Sequence, residues 1–202
     1  IQRLVGSEMC IRDSPKGFTR VLGKLSELSD SGIKIYFFVG NHDYWTRDYF
    51  QKEIGMEVLK KPTEFKINNK LFFIGHGDGL GPGDFKYKFL KRIFRNPLFI
   101  FLFRINYPWF GIPLGNFFSR KNKILSGNNI KFISKENEIL YHFCKKKLNV
   151  KHYDFFVFGH RHLPLKIELG NNSYYFNTGD WINHYSFLHF KDDSLQLKYF
   201  KN

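Results

Sequence analysis

Three apolar runs in this 202-residue chain end alike, in a glycine followed at once by side chains able to bind a metal ion. The polar triplets read NHD at 41–43, HGD at 76–78 and HRH at 160–162. Each run is short and rich in β-branched and aromatic residues, which predicts a buried strand. Ligands gather at the carboxyl ends of strands in open α/β sheets, so these strand ends predict one shared metal site. A single histidine after a strand would more often be a structural group.

The spacing of apolar residues along the rest of the chain predicts a mixed α/β protein. Helices are predicted at 15–31, 44–54 and 134–147, the last with Ile139, Leu140 and Phe143 on one face. Strands are predicted at 33–39, 65–67, 71–74, 153–158, 165–169, 174–177, 186–190 and 195–200. The two strands within 65–74 are typical of a hairpin that turns at Asn68-Asn69.

The chain is strongly basic, with 32 Lys and Arg against 18 Asp and Glu and a formal net charge of +14. Such a charge suits an anionic partner, which includes nucleic acid, anionic lipid and phosphorylated substrates. The two cysteines, Cys10 and Cys144, define no disulfide framework, so a reducing compartment is expected. No apolar run reaches the roughly 18 residues of a membrane-spanning helix.

The ligand types at the three strand ends suit a pair of divalent cations. Mixed nitrogen and oxygen donors favour Mn, Fe or Zn, and accept Mg with less ease. Two ions about 3.5–4 Å apart can clamp a phosphate and activate a bound water near neutral pH. His160 and His162 would project to the same face of an extended segment, whereas a looser turn would direct them to two adjacent ions.

The blocks GNHD, GHGD and GHRH, in this order and spacing, resemble motifs of the calcineurin-like metallophosphoesterases. The stretches PKGFTRVLGKLSELSDSGIKIYFFVGNHDYW, FFIGHGDGLGPGDFKYKFLKRIFRNP, FGHRHLPL and TGDWI resemble, within that family, the diphosphatases of lipid A biosynthesis. This resemblance covers essentially all of 15–202. It implies an α/β fold, namely a metallophosphoesterase-type β-sandwich flanked by helices, with a helical cap insertion at about 85–133.

The same resemblance implies hydrolysis of the pyrophosphate of UDP-2,3-diacylglucosamine to 2,3-diacylglucosamine 1-phosphate and UMP. It implies two divalent metal ions, with manganese favoured and Mg, Fe or Zn as alternatives. The substrate would be a nucleotide-linked diacyl glycolipid drawn from an anionic membrane surface. A cytoplasmic protein attached peripherally to the inner membrane is therefore expected.

By position in these motifs, the resemblance also assigns site residues. One ion would be bound by Asn41, His76 and His160, and the other by His162. His42 would be the catalytic residue beside the scissile phosphate. Asp78 would orient His76, and Asp43 would support the site from a similar position. The predicted substrate contacts are Asn41, His42, Asp84, Ser119, Lys123 and His160.

Residues 4–14 read LVGSEMCIRDS, which matches in order the translation of a transposon-type sequencing adaptor. We therefore expect 1–14 to be a non-native leader and the metallophosphoesterase domain to occupy 15–202. Two further family motifs, Asp-x-His and the Gly-Asp whose Asp bridges the two ions, do not occur before Gly40. The expectation is a chain with missing first strands, half a metal site and no activity by itself.

Between Asp84 and Glu136 the sequence has no acidic residue, eleven Lys or Arg and thirteen aromatic residues. Four of the cations fall on one face of a predicted helix, roughly opposite apolar residues: Lys88, Lys91, Arg92 and Arg95. One interpretation is core packing with a solvated basic face. The other is a cap whose apolar inside holds acyl chains and whose basic rim meets uridine diphosphate and anionic lipid.

Two alternative functions stay open on the sequence. Another metallophosphoesterase, such as a nucleotide pyrophosphatase or a nuclease, would use the same metal chemistry, and the charge of +14 suits a nuclease. The aromatic residues cluster with Leu and Ile rather than spreading over a polar surface, so no nucleic-acid partner is expected. The second alternative is a basic module that binds membranes without catalysis.

Overall fold

The computed structural model describes residues 17–41, 43, 48–81, 85–105, 132 and 134–200. The chain forms two compact units, one of residues 1–37 and 46–58 and the other of residues 38–45 and 59–202. The predicted bounds of the cap insertion, about 85–133, stay a prediction because 106–131 lie outside the described residues.

Among its described residues, the first unit has two helices and most of a small sheet. The helices are α1 (Thr19–Asp30) and α2 (Tyr49–Glu53), and the paired strands are β1 (Tyr36–Phe38) and β2 (Glu57–Leu59). The helices predicted at 15–31 and 44–54 are confirmed over α1 and α2, although α1 buries none of its residues.

The strand predicted at 33–39 is only three residues long, and its predicted burial is wrong. Tyr36 is exposed and Phe37 and Phe38 are half-buried, while Ile33 before the strand is 52% exposed. Within the described residues β2 is the one strand that pairs with β1, so β1 lacks the neighbours that would cover a central strand.

The second unit is built on a five-stranded mixed sheet in the order β3-β4-β5-β7-β6. Its strands are β3 (Thr63–Ile67), β4 (Lys70–Ile74), β5 (Phe155–Phe158), β6 (Pro164–Gly170) and β7 (Ser173–Thr178). The strands β4, β5 and β7 run parallel, while β3 and β6 pair antiparallel at the two edges. The predicted hairpin is confirmed, and its turn begins at Asn68, whose φ of 52° asparagine adopts more readily than most residues.

In the part of the chain that the structure describes, three α-helices and a second hairpin also belong to this unit. They are α3 (Phe85–Phe94), α4 (Pro97–Ile105), α5 (Ile139–Leu148), β8 (Ser186–Lys191) and β9 (Ser194–Tyr199). Because side chains of a strand alternate between its faces, the sheet buries one apolar core on each side.

Helix α5 covers one face of the sheet and the β8–β9 hairpin covers the other. Phe73 of β4 and Phe156 of β5 pack in one core with Leu140 of α5. Phe72 and Phe155, their immediate neighbours along the same strands, pack in the opposite core with Leu195 of β9. The predicted α/β class, with two sheets in layers and a flanking helix, is therefore confirmed.

The helix predicted at 134–147 is interrupted near its start. Lys135–Asn137 form a single 3₁₀ turn, and α5 begins only at Ile139. Glu138 separates them with an extended backbone, and its buried side chain pairs with Arg161 at 2.8 Å. Of the residues predicted to share one helix face, Leu140 is buried, whereas Ile139, the first residue of α5, is exposed.

The structure of helix α3 does not support the interpretation of a single solvated basic face. Lys88 and Lys91 of α3 are partly buried, whereas Arg92 and Arg95 are exposed. The core-packing interpretation is wrong for Phe89, which is 67% exposed. Within the described residues, no helix combines the length and apolar character needed to cross a bilayer.

The loop after β7 folds around the carboxylate of Asp180. Its Oδ1 accepts hydrogen bonds from the backbone N–H groups of Ile182 (2.9 Å), Asn183 (2.6 Å) and His184 (3.2 Å). Burial alone would raise the pKa of this carboxyl group, but the N–H donors outweigh burial and hold the pKa below its ordinary value. The ionised form of Asp180 therefore stabilises the loop.

We expect Asp180→Asn to lower the free energy of unfolding at pH 7 by about 1 kcal/mol, because charge-assisted hydrogen bonds are replaced by neutral ones. The folded pKa is depressed, so this contribution is present above the unfolded pKa, about 3.9, and is lost as the pH falls toward the folded value. Urea titrations at pH 7 and pH 3 should therefore show a smaller difference between the two proteins at pH 3.

Asp192→Asn is the matched control, because it removes an exposed carboxylate from the β8–β9 turn. It should leave the urea midpoint nearly unchanged at both pH values. A difference between wild type and Asp180→Asn that grows on acidification would contradict this account of the loop.

Candidate metal centre

The register of β4 against β5 brings two of the three polar triplets together. Ile74 lies opposite Val157, and the backbone of Gly75 continues the pairing with a hydrogen bond to Val157 O at 3.1 Å. Beyond the strands, the N–H groups of Gly159 and His160 both donate to His76 O, at 3.0 and 2.9 Å. The imidazoles of His76 and His160 therefore meet at the carboxyl edge of the sheet, with ring centroids 5.2 Å apart.

Three side-chain donor atoms converge at this edge. His76 Nε2 lies 3.0 Å from Asn41 Oδ1 and 3.3 Å from His160 Nδ1. A proton on His76 Nε2 can be donated to only one of these two atoms at a time. A cation can accept lone pairs from all three, and donors about 2.1 Å from one ion at right angles stand about 3.0 Å apart. The two distances from His76 Nε2 therefore match the separation of neighbouring ligands on one metal ion.

The loop after β1 places Asn41 beside His76 through a tight turn. Asp43 N donates to Gly40 O at 3.2 Å, and Gly40 N donates in return to Asp43 Oδ2 at 3.2 Å. A Cβ atom on Gly40 would lie 2.9 Å from His76 Cε1 and 2.9 Å from Asp43 Oδ2. Glycine is therefore required here by close approach.

Burial keeps both imidazoles of this centre neutral at pH 7. For His76, burial lowers the pKa, and the carboxylates of Asp78 and Asp43 offset this only in part. For His160, burial and then the neighbouring His76 lower the pKa to about 4. Each neutral ring offers a nitrogen lone pair, which is the state a metal ligand needs.

The third triplet forms a turn, which is the second of the two geometries that the sequence left open. His162 N donates to Gly159 O at 3.3 Å, and His162 has a left-handed φ of 54°. Its side chain is exposed, and the contact between Asn41, His76 and His160 does not include it. The turn therefore does not place His160 and His162 on one face of an extended strand.

Between these two histidines, Arg161 points away toward α5. Its Nη2 donates to Glu138 Oε1 at 2.8 Å, and Glu138 is only 3% exposed. Glu138 Oε2 and Arg161 Nε are buried without a hydrogen-bond partner. These two atoms are a complementary acceptor and donor, so a small rotation would make the pair bidentate.

Asp78 has a partner that the sequence analysis missed. Its Oδ2 lies 2.5 Å from Nζ of Lys91, one turn along α3 from Lys88. The spacing of the basic residues 88, 91, 92 and 95 was the available sequence signal for this ion pair. Spacing alone, however, does not show which of these side chains turn inward. The predicted role of Asp78 in orienting His76 stays a prediction.

The remaining predicted residues are not brought together by the described part of the structure. His42, Asp84, Ser119 and Lys123 lie outside the described residues. Across the residues that are described, no three side chains drawn from His, Cys, Asp and Glu lie close enough to hold an ion. The observed group consists of two imidazoles and one amide.

A small cavity opens beside His76. Its lining includes the three lysines Lys60, Lys61 and Lys91, together with apolar Val39 and Leu59. Cations beside a candidate metal centre favour an anionic ligand.

No family model matches the chain. A protein of Porphyromonas gingivalis named UDP-2,3-diacylglucosamine hydrolase is 36% identical over 198 residues, which cover 91% of this chain and 75% of the relative. Relatives of the same name from Ectopseudomonas mendocina and Pseudomonas fluorescens are 30% and 32% identical, over 80% and 59% of this chain. The chain spans 66% and 46% of the lengths of these two. The chain belongs to the UDP-2,3-diacylglucosamine hydrolase family.

Proposed function

We propose that this protein hydrolyses the pyrophosphate of UDP-2,3-diacylglucosamine to 2,3-diacylglucosamine 1-phosphate and UMP. The observation that carries the proposal is the convergence of Asn41 Oδ1, His76 Nε2 and His160 Nδ1 at the carboxyl edge of the sheet. Family membership supplies the substrate class, and the lysine-lined cavity beside His76 suits its two phosphates.

We propose that Asn41, His76 and His160 hold one divalent ion and that His162 contributes to a second, with manganese as the preferred metal. When bound, such ions neutralise phosphate charge and make a water molecule nucleophilic near neutral pH. The left-handed turn at His162 supports separate roles for the two histidines, because His162 takes no part in the contact of His160 with His76.

The protein's own groups position the anionic substrate. We propose that His42, next to Asn41 in the sequence, donates a hydrogen bond to the scissile phosphate. Asp84, Ser119 and Lys123 are proposed substrate contacts, and Asp43 supports the turn through its hydrogen bond with Gly40 N. Lys60 and Lys61 at the cavity add positive charge where the pyrophosphate would lie, whereas the charge of Lys91 is balanced by Asp78.

Helices α3 and α4 suit a lipid substrate. Large apolar side chains are exposed on both helices: Phe89, Leu98, Phe99 and Phe101. Exposed apolar groups next to arginines favour a surface that meets acyl chains and anionic headgroups. We propose that this face receives the diacyl part of the substrate at a cytoplasmic membrane surface.

The test is product identity with purified protein, Mn²⁺ and UDP-2,3-diacylglucosamine in detergent. We expect UMP and the lipid 1-phosphate by mass spectrometry, at a low rate rather than the inactivity expected from the sequence, because the described donor set serves one ion. His160→Ala should lower the rate at least 100-fold, since it removes a donor of that ion. His152→Ala is the control, because its ring is exposed and lies away from the site.

Two results would overturn this proposal. Cleavage of a dinucleotide pyrophosphate or of single-stranded DNA, with no lipid product, would assign the metal centre to another phosphoesterase reaction. Binding to anionic vesicles without turnover of any of these substrates would favour a membrane-binding module.

A second prediction concerns the effect of Gly40 on the affinity of the site for Mn²⁺. A methyl group at Gly40 would press on the His76 ring, so Gly40→Ala should weaken Mn²⁺ binding about 10-fold or more. Gly23→Ala is the matched control, because a Cβ there meets nothing within 4 Å. Mn²⁺ titrations followed by electron paramagnetic resonance measure both. Equal affinity in the two variants would contradict the proposed role of Asn41 and His76 as ligands.

A further inference from the structure

Helix α3 is tied to the loop that carries His76 by two lysines. Lys91 Nζ lies 2.5 Å from Asp78 Oδ2 and also donates to Asp78 O at 3.2 Å. One turn earlier, Lys88 Nζ donates to Gly81 O at 2.8 Å. These contacts reach both the second and the fifth residue after His76, so they span the whole 76–81 loop.

The pair between Lys91 and Asp78 is largely withdrawn from water. The side chain of Asp78 is 6% exposed and that of Lys91 is 24% exposed. A charge buried to this extent must be paired, because an uncompensated charge in such a place is strongly unfavourable. Asp78 therefore ties the loop to α3 more firmly than an ion pair on the open surface would.

The other side of the same loop is fixed by close packing. A Cβ atom on Gly77 would lie 3.2 Å from Leu140 Cδ1 and 3.3 Å from His160 Cβ. A Cβ atom on Gly81 would collide with Ile139 Cγ2. The loop thus lies against α5 and His160 on one side, and lysine side chains of α3 hold it on the other.

We propose that Lys91 is a positioning residue for the metal centre: by holding Asp78, it fixes the His76 loop to α3. This inference rests on the proposed function, because it concerns the placement of a proposed ligand. It makes α3, the first helix of the basic, aromatic-rich segment between Asp84 and Glu136, part of the support of the metal centre. Lys91 acts through Asp78 and the loop and need not touch the substrate.

Simple electrostatics predicts the opposite change in metal affinity when the charge of Lys91 is removed. Removing a positive charge near a cation site should strengthen metal binding, whereas removing an anchor of a ligand loop should weaken it. Lys91→Met separates the two, because it keeps the length of the side chain and loses the charge and the hydrogen bonds. Asp78→Asn weakens metal binding on either account, so this substitution is informative only when it is combined with Lys91→Met.

The first measurement is hydrogen exchange by mass spectrometry without added metal. Lys91→Met should increase amide exchange across 76–81 and α3 relative to wild type, and Lys91→Arg should restore part of the protection. The second measurement is Mn²⁺ affinity, which should fall about 10-fold or more in Lys91→Met. In Lys91→Met/Asp78→Asn the affinity should stay low, although the charge balance is restored.

Lys70→Met is the matched control, because Lys70 pairs with the partly buried Asp154 at 3.1 Å at the opposite end of β4. It should lower overall stability without changing Mn²⁺ affinity or exchange at 76–81. Unchanged exchange in Lys91→Met, or Mn²⁺ affinity that is unchanged or raised, would overturn the positioning role. If wild type binds no Mn²⁺, the proposed function fails and the role at a metal centre fails with it, while exchange still reports whether Lys91 anchors the loop.

Discussion

The parallel pairing of β4 with β5 is the constraint on which the rest of the structure depends. Once Phe73 lies beside Phe156, His76 and His160 follow at the same edge, two and three residues beyond the paired segment. The hydrogen bonds from Gly159 N and His160 N to His76 O lock this arrangement through the backbone alone. Aromatic side chains on both faces of the two strands then stabilise the register, because a slip of one residue would exchange the two cores.

Local patterns predicted the parts of the fold that depend on local chemistry. Continuous apolar runs located β4 and β5, and the glycine after each run marked where the polar triplets begin. The sequence could not show that Glu138 would break the helix predicted at 134–147, because the cause is an ion pair with Arg161, 23 residues away. Nor could it show that Lys91 turns inward to Asp78 while Arg92 stays exposed, since both fit the same basic stripe.

Both histidine-bearing loops are held by a charged residue that adjoins the candidate centre. Asp78 follows His76 by two residues and pairs with α3, while Arg161 stands between His160 and His162 and pairs with Glu138 at the start of α5. The two helices lie on either side of residues 106–131 in the sequence. The described structure therefore links the two helices that flank residues 106–131 to the loops that carry the proposed ligands. This arrangement suits a protein that must present a lipid to a metal centre.

The central claim is that Asn41, His76 and His160 share one cation, and anomalous diffraction from crystals soaked in Mn²⁺ tests it most directly. The account predicts an anomalous peak within bonding distance of Asn41 Oδ1, His76 Nε2 and His160 Nδ1. Anomalous density bound at only one of these side chains, or located away from the carboxyl ends of β4 and β5, would contradict it.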